Sequence, residues 1–196
     1  MEIIHHRRNT ISLLKSTSIK YGIEVDIRSF GKDLIIHHDP YCHGEKFAEW
    51  LKHYNHQFLI INVKEEGLEE KILIHLEEAK ITRFFFLDQS YPTIIKAASL
   101  GKNHSALRVS EFESIETALI LKNKIDWIWI DTYTKLSLTV NDYQKLKSAN
   151  FKLCLVSPEI NQNNIFDIKE IKDIIRERKF KFDAICTKFP EQWDSD

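Results

Sequence analysis

The 196-residue sequence has only five glycines, four prolines, three cysteines and one methionine. So little glycine and proline leaves small room for linkers, and the chain reads as one domain over 1–196, long enough to bury a real core. No glycine-rich loop follows the first predicted strand, so the usual phosphate cradle of a dinucleotide-binding sheet is missing. Three widely spaced cysteines, Cys42, Cys154 and Cys186, are odd in number. They predict reduced thiols, not a disulfide framework or a zinc site. No apolar run is long enough to span a bilayer. The opening MEIIHHRRNT lacks the apolar core and cleavage site of a secretion signal. Together these absences predict a cytoplasmic address without membrane insertion. Neither sign of charge dominates: the net charge is −1, so no broad field attracts nucleic acid or an acidic membrane.

What is present is an alternation of short apolar strands with segments of helical period. Strands are predicted near 2–7, 22–29, 33–38, 58–64, 83–88, 105–110, 127–132, 152–157 and 183–188. Helices are predicted over Asn9–Tyr21, Glu45–Tyr54, Glu66–Lys80, Tyr91–Leu100, Ser114–Lys124, Thr139–Ala149 and Asp167–Lys179. Thr139 and Asp167 fit as N-caps, and Ser114 opens a further helix. FLIINV, RFFFLD, DWIWID and KLCLV are near-continuous apolar runs, as expected when both faces of a parallel sheet are covered. With the 22–29/33–38 pair counted as a hairpin-like excursion, eight strand–helix units remain. They predict an α/β fold, a compact (β/α)8 TIM barrel. Trp127 and Trp129 alternate onto one strand face and are expected in the core, as are the thiols of Cys154 and Cys186.

A barrel puts its chemistry at the C-terminal ends of its strands. Those ends read His6-Arg7, Glu24-Asp26-Arg28, His37-His38-Asp39, Asn62-Lys64, Asp88-Gln89, Arg108-Glu111, Asp131, Ser157-Glu159 and Thr187-Lys188. Histidines suit proton transfer, carboxylates a hard cation, and Arg and Lys an anion; phosphoryl chemistry uses these together. In β geometry Glu24, Asp26 and Arg28 face one way and Ile23, Val25 and Ile27 the other. Burying such acids requires pairing or a metal. Arg108 and Glu111 are expected as an internal ion pair, with Arg108 within reach of a substrate anion. Glu65, Glu66, Glu69 and Glu70 suit an acidic helix start.

The order His-Arg, Asn-Thr opening the first helix, Gly-Ile-Glu-Val-Asp, then His-Asp-Pro after a short strand resembles the glycerophosphodiester phosphodiesterase family. That family belongs with the phosphatidylinositol-specific phospholipase C-like phosphodiesterases. The ending FDAICTKFPEQW is similar to the family's last strand. The resemblance implies His6 and His38 as general acid and base, and Glu24 and Asp26 as ligands of a divalent cation, Mg²⁺ or Ca²⁺. It implies Arg7 and Lys64 as neutralisers of a phosphodiester. It also marks departures. Asn62 stands where the family carries a third carboxylate ligand, leaving a carbonyl oxygen without charge. Arg8 stands where glycine is common and either narrows the phosphate pocket or adds a second anion contact. Short loops lack the insertion that shapes a glycerol-side pocket. The implied function is metal-assisted hydrolysis of a small glycerophosphodiester; the short loops and the cytoplasmic address add, as a second substrate, a nucleotide-linked polyol used in surface-polysaccharide assembly. The alternatives are a catalytically weakened barrel that binds a phosphorylated ligand or a protein partner, and a sugar-phosphate isomerase or aldolase using Lys64 or Lys188.

Overall fold

The apolar runs become the strands β1 (Glu2–His5), β2 (Gly22–Phe30), β3 (Asp33–Ile36), β4 (Glu45–Lys46), β5 (Leu59–Val63), β6 (Phe84–Leu87), β7 (Ala106–Val109), β8 (Trp127–Ile130), β9 (Lys152–Val156) and β10 (Ala184–Thr187). The structure, a computed structural model, describes residues 1–162 and 167–194. Helices are α1 (Ile11–Ser16), α2 (Phe47–Leu51), α3 (Glu69–Glu78), α4 (Tyr91–Ser99), α5 (Ile115–Ile120), α6 (Val140–Ser148), α7 (Glu159–Gln162), α8 (Asp167–Arg178) and α9 (Pro190–Trp193).

Eight strands run parallel in the order β1, β2, β5, β6, β7, β8, β9, β10, with β10 pairing back onto β1. The β6–β7 seam is joined by a single parallel bridge, Phe86 to Ser105, and by the Phe86 N–H donating to the His104 carbonyl at 2.7 Å. The expected hairpin excursion is β3, which returns antiparallel on β2 and carries the two-residue β4.

Period-two alternation sorts each strand into two faces. Ile4, Phe58, Ile60, Phe85, Trp127, Trp129, Cys154, Val156, Ala184 and Cys186 fill the inside of the ring. Ile23, Val25, Ile27, Leu59, Ile61 and Val63 pack outward against Leu14, Phe47, Trp50 and Ile72. Glu24 and Asp26 therefore point inward, 1% and 0% exposed. All three cysteines are free thiols.

The helices are shorter than the periodicity suggests, for local reasons. Thr10 caps α1 by accepting from Leu13 N–H, but at its other end the Thr17 hydroxyl bonds the Leu13 carbonyl at 2.8 Å and the chain turns extended. Residues 45–46, expected as helix, pair with β3 instead. Gly44 permits this: a Cβ there would sit 2.3 Å from the Ile36 carbonyl oxygen. Ser90 and Ser114 cap α4 and α5, and Thr139 and Asp142 form a capping box at α6. The capping role expected of Asp167 concerns a side chain outside the described residues. Among the described residues, no helix is long and apolar enough to cross a membrane.

Candidate active site

The polar residues converge at the C-terminal end of the ring. His6 follows β1 and is held by its N–H donating to Thr187 O at 2.9 Å. Arg7 then adopts a left-handed φ of 52°. For a branched-charge side chain this conformation is uncommon and needs an anchor. The anchor is Glu24, whose Oε2 accepts the Arg7 N–H at 2.8 Å and lies 3.7 Å from His6 Nε2. Asp26 is held more firmly. Asn9 donates Nδ2 to Oδ2 at 2.7 Å and accepts the Asp26 N–H at 3.1 Å. Arg7 Nε stands 3.5 Å from Asp26 Oδ2, and Lys64 Nζ 3.2 Å from Oδ1 and 3.5 Å from Asp88 Oδ2.

Asn62 sits directly across from Asp26 in the β2–β5 register. Three buried oxygens meet no hydrogen-bond donor here: Glu24 Oε1, Asp26 Oδ1 and Asn62 Oδ1. The Lys64 ammonium near Asp26 Oδ1 is an ion-pair contact, not a full substitute for a donor at all three. A buried oxygen left unpaired costs about 1–3 kcal/mol, so these oxygens on β2 and β5 are under-satisfied even with Arg7 and Lys64 beside Asp26. Burial, and then the Asp26 carboxylate, push the Glu24 pKa up. A hard cation with oxygen ligands fits this donor set.

His38 lies at the same end. The His37 N–H donates to Asp26 O at 3.1 Å, and Arg28 Nε donates to His38 O at 3.0 Å, so the β3 exit is fixed beside β2. The His38 ring is open to solvent, with Nδ1 2.8 Å from Asp39 Oδ1. His37 is occupied otherwise, accepting the Asp39 N–H at 3.0 Å. Asn9, Thr10, His37, His38, His43 and Glu45 line an open cavity of about 510 Å³. His6 differs sharply: burial first, then the charges of Arg7, Lys188, Lys64 and Arg8, lower its pKa from 6.5 to about 3. It is neutral at neutral pH.

Arg8 is half-buried. Its Nε donates to His6 O at 3.3 Å, and burial outweighs the attraction of Glu24 to lower its pKa. Arg108 lies deep in a network with Asp88, Asp131 and Tyr133. Burial opposes its charge, but Asp88 and its other partners raise its pKa regardless. The Arg108–Glu111 pair expected from sequence is replaced: Glu111 accepts from Thr134, while Arg108 is taken by Asp88 and Asp131, with Glu113 farther off at 3.9 Å from its Nε. Arg28 likewise pairs with Glu65 at 3.3 Å and not with Glu24 or Asp26. Asp88, with φ 60°, shares the left-handed backbone of Arg7 at the opposite side of the mouth.

Two features escaped the sequence reading. Asn9 was visible only as a helix opener, though its amide orders Asp26. A buried clamp joins β9 to β10: Glu159 Oε1 accepts from Thr187 Oγ1 at 2.6 Å and from Lys188 N–H at 2.9 Å. Its other oxygen accepts from Ser157 Oγ, which in turn accepts from Trp193 Nε1 at 3.0 Å. Only the polar strand ends Ser157-Glu159 and Thr187-Lys188 signalled it.

No protein-family model matches the sequence, and no curated protein matches it either. Two solved structures from Agrobacterium tumefaciens strain C58 share the fold. One, assigned as a glycerophosphoryl diester phosphodiesterase, superposes with a TM-score of 0.70 over 97% of this chain and 94% of its own, at 13% identity. The other, a glycerophosphodiester phosphodiesterase, gives 0.69 over 98% and 99%, again at 13% identity. At that identity the likeness establishes the architecture, in agreement with the barrel expected from the strand pattern.

Proposed function

We propose that this chain is a cytoplasmic phosphodiester hydrolase, acting as a single domain at the strand-end mouth of its barrel. The observation that carries the reading is the set of buried oxygens of Glu24, Asp26 and Asn62 beside the neutral His6: Glu24 Oε1 and Asn62 Oδ1 meet no donor, and Asp26 Oδ1 meets only the Lys64 ammonium. The fold shared with two phosphodiesterase structures supports the same reaction class.

In this reading Glu24, Asp26 and Asn62 hold a divalent cation, Mg²⁺ or Ca²⁺. When bound, the cation polarises the phosphoryl group as a Lewis acid. Arg7, Arg8 and Lys64 face the phosphoryl oxygens, where negative charge gathers as phosphorus becomes five-coordinate. Preorganised cations favour that state over the ground state. His6, held neutral, takes a proton from the attacking oxygen, and His38, oriented by Asp39 at the solvent side, delivers one to the departing alcohol. Arg108, already shared among Asp88, Asp131 and Tyr133, shapes the far wall and meets a substrate anion only by giving up one of these partners. The short loops favour a small substrate, either a glycerophosphodiester or a nucleotide-linked polyol.

A second reading has its own support. Among the described residues, no group of three or more His, Cys, Asp or Glu is arranged to hold a metal. Asn62 therefore favours a weakened barrel that binds a phosphorylated ligand without turning it over. The deciding experiment is hydrolysis of bis(p-nitrophenyl) phosphate, glycerophosphocholine and cytidine diphosphate glycerol with Mg²⁺, with Ca²⁺ and with EDTA. Cation-dependent release of product is expected. Saturable binding of these diesters without turnover under any condition would instead establish the second reading.

A further inference from the structure

Lys188 stands one residue past β10, next to His6 in the ring. The β1–β10 register pairs His5 with Thr187, and His6 N–H reaches Thr187 O at 2.9 Å. Ala184 and Cys186 point into the barrel, so alternation places Lys188 on the same inward face, at the mouth. Its position is over-determined by the clamp from β9. Glu159 Oε1 holds the Lys188 N–H at 2.9 Å and the Thr187 hydroxyl at 2.6 Å. The Lys188 ammonium donates to the carbonyls of Glu159 at 3.1 Å and Ile160 at 3.5 Å. Ser157, Glu159 and Thr187 are buried, and Trp193 closes the clamp from α9.

A buried carboxylate spent on a backbone N–H and two hydroxyls is a costly way to make a turn. What it secures is the location of a cation at the end of β10, the strand beside His6. Arg7 and Lys64 already face Asp26. We propose that Lys188 is a further substrate-binding residue, contacting a phosphoryl oxygen on the β10 side of the mouth, and that Glu159 is its positioning residue. Neither was assigned this role by sequence, where Lys188 figured only as an amine for an alternative chemistry. The inference rests on the phosphodiester reading of the site, but its test does not depend on turnover.

The probe is inorganic phosphate, titrated calorimetrically with and without Mg²⁺ into the full chain and into Lys188→Ala, Lys188→Arg, Glu159→Gln and the Lys188→Ala/Glu159→Gln pair. A charge-assisted hydrogen bond corresponds to roughly 10- to 100-fold in affinity. Lys188→Ala is expected to weaken phosphate by that factor while the fold is kept, with only a small drop in melting temperature from the lost bonds to the Glu159 and Ile160 carbonyls, because Glu159 bonds the main chain and not the removed ammonium. Lys188→Arg is expected to stay within a few-fold. Glu159→Gln is expected to weaken phosphate in the natural background and to add nothing once Lys188 is Ala, a coupling that a purely structural clamp does not produce. Unchanged affinity in Lys188→Ala, or losses that simply multiply in the double variant, would overturn the proposal. Lys188-dependent phosphate binding in a chain that hydrolyses no diester would leave this inference standing and remove the hydrolase reading. Hydrolysis with Lys188-independent phosphate binding would do the reverse.

Discussion

Asn62→Asp tests the proposed cation site most directly, because it changes charge at nearly constant shape. The carboxylate it introduces faces Asp26 across the β2–β5 register, in a site where Glu24 and Asp26 are almost wholly shielded from water. Without a cation, two like charges about 4 Å apart at an effective dielectric near 20 repel by about 4 kcal/mol. Lys64, 3.2 Å from Asp26 Oδ1, offsets part of this. With a divalent ion the sign reverses. The attraction of the new charge to a doubly charged ion is about 8 kcal/mol gross on the same scale. In the cation-free variant the acid pair relieves its repulsion by taking up a proton or drawing on Lys64, and displacing these on ion binding returns several kcal/mol of that. A net gain of about 1.5–3 kcal/mol, or 10- to 100-fold in Kd, is left. Titration calorimetry with Mg²⁺ and Ca²⁺ should therefore show tighter binding in the variant. Thermal melts should show it less stable than the natural chain in EDTA, with the gap narrowing or inverting on adding cation. Equal affinities together with equal melting temperatures in EDTA would refute the idea that these three oxygens share one ion.

The proton-transfer roles make a second prediction: His6→Ala and His38→Ala each lower turnover by about 10²–10⁴-fold, measured at saturating substrate. Full rates in both variants would remove the mechanism. A third concerns pH and stability. The folded-state pKa of His6 is depressed to about 3 from 6.5. Below about 6.5 the unfolded chain therefore takes up a proton that the native chain refuses. Stability is undiminished by this group above that pH and declines as pH falls from about 6.5 toward 3. Urea unfolding at pH 7.5 and pH 5 should show a smaller acid loss in His6→Asn than in the natural chain, and identical losses would contradict the burial argument.

How far the sequence carried can be judged from particular residues. The alternation in GIEVDIRS put Glu24 and Asp26 on one face and Ile23, Val25 and Ile27 on the other, and so they stand, because the period of a strand is set by covalent geometry. Arg28, two residues further on, takes a partner other than these acids. There β2 runs into the β3 hairpin, and Glu65, from the loop after β5, captures the guanidinium. The cap residues Ser114 and Thr139 were local signals, and local geometry satisfied them. Helix length at 45–54 was not local: whether Glu45 and Lys46 join a helix or a strand depends on whether β3 lies close enough to pair, which Gly44 allows.

The sequence by itself determined the barrel's strand-and-helix succession, the inward carboxylates and the clustering of polar groups at strand ends. These follow from side-chain periodicity and from the hydrophobic effect, both readable along a line. Only the tertiary structure decided which charges meet. It gave Arg108 to Asp88 and Asp131 instead of Glu111, put Asn9 on Asp26, and closed Glu159 around Thr187 and Lys188. Such pairings are contacts between residues roughly 20 to 30 positions apart, and their energies depend on distances that no spacing along the chain encodes.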